Sequence, residues 1–224
     1  MEKKKAVGFD LDGTLIKVVW PEAHKKWYEH FGVLNKGDKE AYSKWAFKED
    51  WYEGVKIAMN DFYRGVDVGP KAINKTARSF FGALNLQKIT ELIKEKGLWD
   101  VLIKESLEMA KLVKEKGYEP IIISNQPEIV VDGVTYLINK NYEEIFTNYY
   151  GSLESEEPNK KRVWKRALKE WEVVLYLADT KKDIEIAREQ GINAFLVPWA
   201  ENKEKEGIGE ERIISIDKLE EILK

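Results

Sequence analysis

Short unbroken apolar runs recur near the start of the chain and through its second half. They are Ala6-Val7-Gly8-Phe9, Ile121-Ile122-Ile123, Val173 to Ala178, and Ala194-Phe195-Leu196-Val197. Runs of this length, rich in β-branched residues, predict buried strands. The second run opens at Glu119-Pro120 and is expected to end at Ser124-Asn125. Between the runs, apolar residues recur in steps of three and four. Asp100 to Lys116 carries Val101, Leu102, Leu107, Ala110, Leu112 and Val113, and Gly117 stands as its C-cap. Lys160 to Glu170 and Asp183 to Gln190 also read as helices, the latter stopping at Gly191. Asp217-Lys218-Leu219-Glu220 has the character of a capping box opening a last helix. Strands alternating with helices predict a parallel sheet covered on both faces.

Residues 18–96 follow a different rhythm. Aromatic residues fall at helical spacing, as in Trp27 with Phe31 and Phe47 with Trp51, and no β alternation interrupts them. Breaks come near Gly32, Gly37, Gly65, Gly69-Pro70 and Asn85. This stretch reads as several short helices inserted after the first strand, with its aromatics serving mostly as core. Arg64 and Arg78 are its two arginines, each read as a surface ion pair, and His24 and His30 are six apart, off a common helix face.

Composition narrows the classes. A chain of 224 residues holds one sizeable domain, or a core with an inserted module. The net charge is −3, with positive and negative residues interleaved, so no basic footprint for nucleic acid is present. The absence of cysteine excludes disulfides, thiolate metal sites and a cysteine nucleophile. Abundant Lys and Glu with three glutamines resemble a thermophile's composition. The apolar stretch after the charged N-terminus stops at Asp10, too short for a signal peptide or a membrane span, so a cytoplasmic protein without a membrane partner is expected.

Candidate chemistry gathers where the strands end. The first run leads into Asp10-Leu11-Asp12-Gly13-Thr14, whose two carboxylates share one side of an extended backbone. The second delivers Ser124 and Asn125, and the third Asp179, with Asp183 four residues on. In a parallel sheet these ends face one crevice. Packed carboxylates repel, and some would have to protonate. A hard divalent cation resolves the conflict: Mg²⁺ takes one or two carboxylates, waters and a phosphate oxygen. The chemistry that fits is phosphoryl transfer. One carboxylate attacks phosphorus, and the other moves the proton. Ser124 and Asn125 are suited to hold phosphate oxygens. A cation before the third strand comes from Lys160 or, failing that, Lys161.

These segments resemble the haloacid dehalogenase-like hydrolases. Asp10-Leu11-Asp12-Gly13-Thr14-Leu15 is similar to their first motif, Ile121 to Asn125 to their second, and Leu177 to Asp183 to their fourth. The resemblance implies a Rossmann-like α/β core, a doubly wound parallel sheet over residues 1–17 and 97–224, with an inserted all-helical cap over 18–96. It implies Asp10 as nucleophile and metal ligand, and Asp12 as general acid/base with its main-chain carbonyl on Mg²⁺. Ser124 would bind phosphate, Asp179 would ligate the metal, and Asp183 would stand in the outer shell or cap its helix. Two departures are visible. Glu157 precedes Pro158 where the family often has Lys, and Ala178 precedes Asp179 where it usually has Gly.

The resemblance also bears on the reaction. Dehalogenase members lack an aspartate two residues after the nucleophile, and the related transport ATPases have Lys there. Asp12 therefore points to a phosphatase or a phosphomutase, and the reading taken is a phosphatase acting on a small phosphorylated metabolite. A phosphomutase on the same scaffold and a non-catalytic binding module are the competing readings. Neither the substrate nor the oligomeric state is legible in the sequence.

Overall fold

The computed structural model describes residues 3–17, 89–153, 159–207, 209 and 212–224. Most of the predicted helical insert, with its aromatics, Arg64, Arg78 and both histidines, lies outside the described residues, as does Glu157-Pro158.

Five parallel strands form one sheet in the order β3-β2-β1-β4-β5. They are β1 (Lys4–Phe9), β2 (Glu119–Pro127), β3 (Asn148–Ser152), β4 (Trp171–Ala178) and β5 (Asn193–Leu196). Among the described residues, the helices from Lys104 onward are α1 (Lys104–Glu115), α2 (Glu128–Asn141), α3 (Lys160–Glu170), α4 (Lys181–Glu189), α5 (Asn202–Lys205) and α6 (Ile216–Ile222). The chain moves outward from β1 to β2 and β3, then returns through α3 to β4 on the other side of β1. Right-handed crossovers therefore place α1 and α2 on one face and α3 and α4 on the other. The order reverses at β1, so the crevice opens at the C-terminal ends of β1 and its neighbours.

Several elements differ from the sequence reading. Asp100 does not open a long helix. A 3₁₀ turn at Leu98–Asp100 comes first, and α1 starts only at Lys104. Val101 and Leu102 are buried in the intervening turn, so their apolar character reports core packing and not a helix face. Helix α2 and strand β3 went unread because 128–152 mixes glycine, asparagine and tyrosine among its apolar positions. The last helix is capped by Ser215, whose hydroxyl accepts from the Lys218 N–H, and not by Asp217. Gly117 does adopt a left-handed conformation just past α1 (φ 83°).

The described segments on either side of residues 18–88 are held on the core. Residues 15–17 run antiparallel to 101–103, with Lys17 N donating to Val101 O at 2.8 Å and Ile103 N donating to Leu15 O at 2.9 Å. Residues 89–96 are helical and press Ile89, Leu92 and Ile93 onto the core. The core itself is closed by crossed aromatic pairs. Phe9 meets Phe146 edge-on at 5.7 Å, and Trp164 meets Tyr176 at 4.9 Å. Gly8 makes room for this: a side chain there would press against the Tyr176 ring and Ile123. Among the described residues, no helix is long and apolar enough to cross a membrane.

Candidate active site

Asp10 follows β1 directly, and its N–H still donates to Leu177 O of β4 at 2.8 Å. Phe9 lies level with Leu177 in the ladder, so Asp10 and Asp179 leave adjacent strands about one residue apart. Asp183 joins them from the first turn of α4. The cap of that helix is Thr180, not Asp183. The Thr180 hydroxyl accepts from the Asp183 N–H at 3.2 Å and donates to Asp183 Oδ2 at 2.7 Å. This reciprocal cap fixes the rotamer that aims Asp183 back at Asp10.

The cation between them is Lys160. It is the first residue of α3, whose cap is Asn159 accepting from Lys161 N at 3.0 Å. Lys160 Nζ lies 2.8 Å from Asp10 Oδ1 and 2.8 Å from Asp183 Oδ1, with its side chain only 5% exposed. It also sits 5.4 Å above the centre of the Tyr176 ring. Lys161 turns the other way, pairs with Glu189 and is 52% exposed. A single residue step along the helix, a rotation of about 100°, thus separates a buried lysine at the carboxylates from a solvated one.

Burial sets the electrostatics. Desolvation pushes the Asp10 carboxyl well above its usual range; the pull of Lys160 is outweighed once Asp183 and Asp179 add their repulsion. Asp179 is raised to about 6, again first by burial. Burial opposes ionisation of Asp183 too, but Lys160 and the Thr180 hydroxyl hold it below the usual range. Burial would discharge Lys160, yet its two carboxylate partners keep it above the ordinary lysine value. Among the described residues, one ammonium thus serves three carboxylates.

Asp10, Asp179 and Asp183 each offer an oxygen within 4.8 Å of the others. An all-carboxylate donor set, two of whose members resist ionisation, fits a hard divalent cation. The chain also leaves space there: Gly13, at φ 69°, faces Asp179 so closely that a β-carbon would fall inside its carboxylate. The Gly13 carbonyl in turn accepts from Trp199 Nε1 at 3.0 Å, which ties the turn to the loop after β5. The Asp12 carboxylate is not a member of this group. It points toward β2, where Gln126 Nε2 donates to its Oδ2 at 2.6 Å.

Strand β2 does not stop at Asn125 as expected. It runs on to Pro127 through an irregularity in its pairing with β3 between Ile123 and Pro127. Ser124 is buried beside Asp10's strand, and its hydroxyl accepts from Gln126 N at 3.1 Å. Asn125 faces outward, where its side chain and carbonyl take the Ser152 hydroxyl. The structure thus gathers Asp10, Lys160, Asp179 and Asp183, links Asp12 and Ser124 through Gln126, and turns Asn125 toward β3. Sequence reasoning missed Gln126, Thr180, Tyr176 and Trp199. Gln126 was within reach, since it lies two residues past Ser124 and so on the same strand face.

A family-level sequence profile for haloacid dehalogenase-like hydrolases matches residues 4–191. The chain belongs to that family, and by that membership it is a hydrolase. Solved structures share its fold. A haloacid dehalogenase-like family protein from Streptococcus pneumoniae is 20% identical, with a TM-score of 0.60 and 99% of each chain covered. CbbY from Rhodobacter sphaeroides, solved in complex with phosphate, is 19% identical, with a TM-score of 0.59 over 99% of this chain and 96% of that one. A mutant CbbY solved with xylulose-(1,5)bisphosphate is 18% identical, with a TM-score of 0.58 over 98% of this chain and 96% of that one. No curated protein matches the sequence.

Proposed function

We propose that the protein is a Mg²⁺-dependent phosphatase that hydrolyses a small phosphorylated metabolite through an aspartyl-phosphate on Asp10. The observation that carries this reading is the buried Lys160 shared between Asp10 and Asp183, with Asp179 beside them and Asp12 two residues along. On this reading Asp10 is the nucleophile, Lys160 the positive clamp and Asp12 the proton carrier beside them.

The Asp10 carboxylate attacks phosphorus as the bond to the ester oxygen breaks, and the electron pair leaves on that oxygen. Asp12 delivers the proton that makes it an alcohol. Asp12, now ionised, takes a proton from water, whose oxygen attacks the same phosphorus. The bond to Asp10 breaks, and inorganic phosphate leaves. Lys160 neutralises phosphate oxygens and holds Asp10 Oδ1 in place. Ser124 supplies a hydroxyl to the phosphate. Asp10, Asp179 and Asp183 would hold the cation, with the Asp12 carbonyl as the further ligand that the family resemblance implies. When bound, Mg²⁺ supplies charge neutralisation for the phosphoryl group and favours the ionised form of Asp10.

The test is phosphate release from a panel of phosphorylated sugars, nucleotides and acids. Sugar phosphates come first, because CbbY was solved with one. Release without a phosphorylated acceptor separates hydrolysis from mutase chemistry. Asp10→Asn should abolish it while leaving the circular dichroism spectrum unchanged. Hydrolysis retained by that variant would overturn the reading.

A further inference from the structure

Gln126 is a buried amide with one end used and one end not. Its Nε2 donates to Asp12 Oδ2 at 2.6 Å, and its Oε1, also buried, has no partner among the described residues. The residue as a whole is 5% exposed. A buried carbonyl oxygen without a donor is costly, so an arrangement that tolerates one needs a reason. Turning the amide over would set Oε1 against the Asp12 carboxylate, and two acceptors at that distance repel. With Asp12 ionised the donor end is therefore committed to it, and the orphaned oxygen follows from that commitment.

The backbone supports the same assignment. Ser124 and Gln126 are both buried with exposed Asn125 between them, so Gln126 keeps Ser124's side of the strand even though the pairing with β3 is irregular between Ile123 and Pro127. The Ser124 hydroxyl accepts from the Gln126 N–H, so the residue is fixed from behind by a group of the phosphate site. Asp12 itself sits in the tight turn after Leu11, where Leu15 N and Ile16 N both donate to Leu11 O. That turn sets its main chain, and the amide engages one of its carboxylate oxygens.

We infer that Gln126 is a positioning residue that orients the proton-transferring carboxylate of Asp12 toward the leaving oxygen. The inference rests on the phosphatase reading and deepens it. The amide on Oδ2 fixes the plane in which the carboxylate faces the reacting ester. A carboxylate free to rotate would present the proton at the wrong angle for part of the time, and misplacement of that size costs up to about 10²-fold.

The experiment uses two esters that differ in how much they need the proton. An alkyl phosphate such as β-glycerophosphate leaves as a poor alkoxide unless protonated, whereas p-nitrophenyl phosphate leaves unaided. Gln126→Met keeps length and burial and removes the donor. Because it also removes the orphaned oxygen, its melting temperature should equal or exceed that of the parent protein. Its kcat/KM on β-glycerophosphate should fall by about 10- to 100-fold, and on p-nitrophenyl phosphate by less than about threefold, with KM unchanged. Gln126→Glu, which sets a second carboxylate against Asp12, should show the same selectivity more strongly.

An equal loss on both esters, or no loss on the alkyl ester, overturns the positioning role. If the methionine variant does not fold, the same comparison on the glutamate variant decides. The parent protein and Asp10→Asn are assayed alongside. A parent that cleaves neither ester, or an Asp10→Asn that cleaves them equally well, overturns the phosphatase reading itself and is told apart from a failure of Gln126 alone.

Discussion

Replacing Asp179 by Asn should make the metal-free protein more stable. Burial raises this carboxyl from 3.8 to about 6, with Asp183 and Asp12 adding repulsion that its backbone hydrogen bond and Lys160 do not offset. A rise of about two units is a penalty of about 3 kcal/mol for keeping the ionised form in the fold. The sign follows from linkage. The folded state holds this proton more tightly than the unfolded chain, so its contribution to stability falls as pH rises from about 4 to about 6, and the full penalty stands above that. Asparagine keeps the shape and carries no charge. In a chain of this size the relief corresponds to about 6–12 °C in melting temperature. The assay is thermal unfolding in chelator between pH 4 and 8, with both proteins side by side. The variant should lead most at pH 7 and above, and the lead should shrink toward pH 4. A variant that melts at or below the parent at pH 7.5, or a lead that ignores pH, would refute the reasoning. Added Mg²⁺ should then raise the parent's melting temperature and leave the variant's almost unmoved.

Lys160→Met should cost about 3–5 kcal/mol, because Asp10 and Asp183 lose a buried partner, whereas Lys161→Met should cost under about 1 kcal/mol; denaturant titration reads both. Gly13→Ala should destabilise by about 1–3 kcal/mol from the left-handed backbone alone, and should cut activity further by displacing Asp179, a loss visible in kcat at saturating substrate. Dialysis against chelator should remove activity and Mg²⁺ should restore it. Metal affinity measured by calorimetry should weaken below about pH 6, where protons compete for Asp179.

Much of the site was legible before the fold was known, because its residues sit at strand ends. A run such as Ala6 to Phe9 must be buried, so the first polar residues after it stand at the sheet's edge. Asp10, Ser124 and Asp179 were read in this way, and the structure brings all three to one end of neighbouring strands. The helix from Lys160 to Glu170 was read at its observed bounds because Asn159 caps it and its apolar stripe is clean. Helix α2 and strand β3 carry no such signal: Thr135 is buried within α2, and Tyr149 and Tyr150 of β3 spend their hydroxyls on Asp132 and Glu170.

Local pattern determines where each strand stops and which polar group stands there, since burying a run of apolar side chains is a property of the run. It does not determine which groups meet. Lys160 and Lys161 are adjacent and chemically identical, yet one neutralises Asp10 and the other a surface glutamate, because α3 turns each residue about 100° from the last. Asp183 fits both an outer-shell place and a helix cap by sequence, and Thr180 takes the cap and turns its carboxylate to the lysine. Gln126 shares a strand face with Ser124, but only the fold brings its amide to Asp12, 114 positions away in the chain. These choices were left to the tertiary structure because each depends on the direction a side chain takes from its backbone, and that direction is set by the packing of elements distant in sequence.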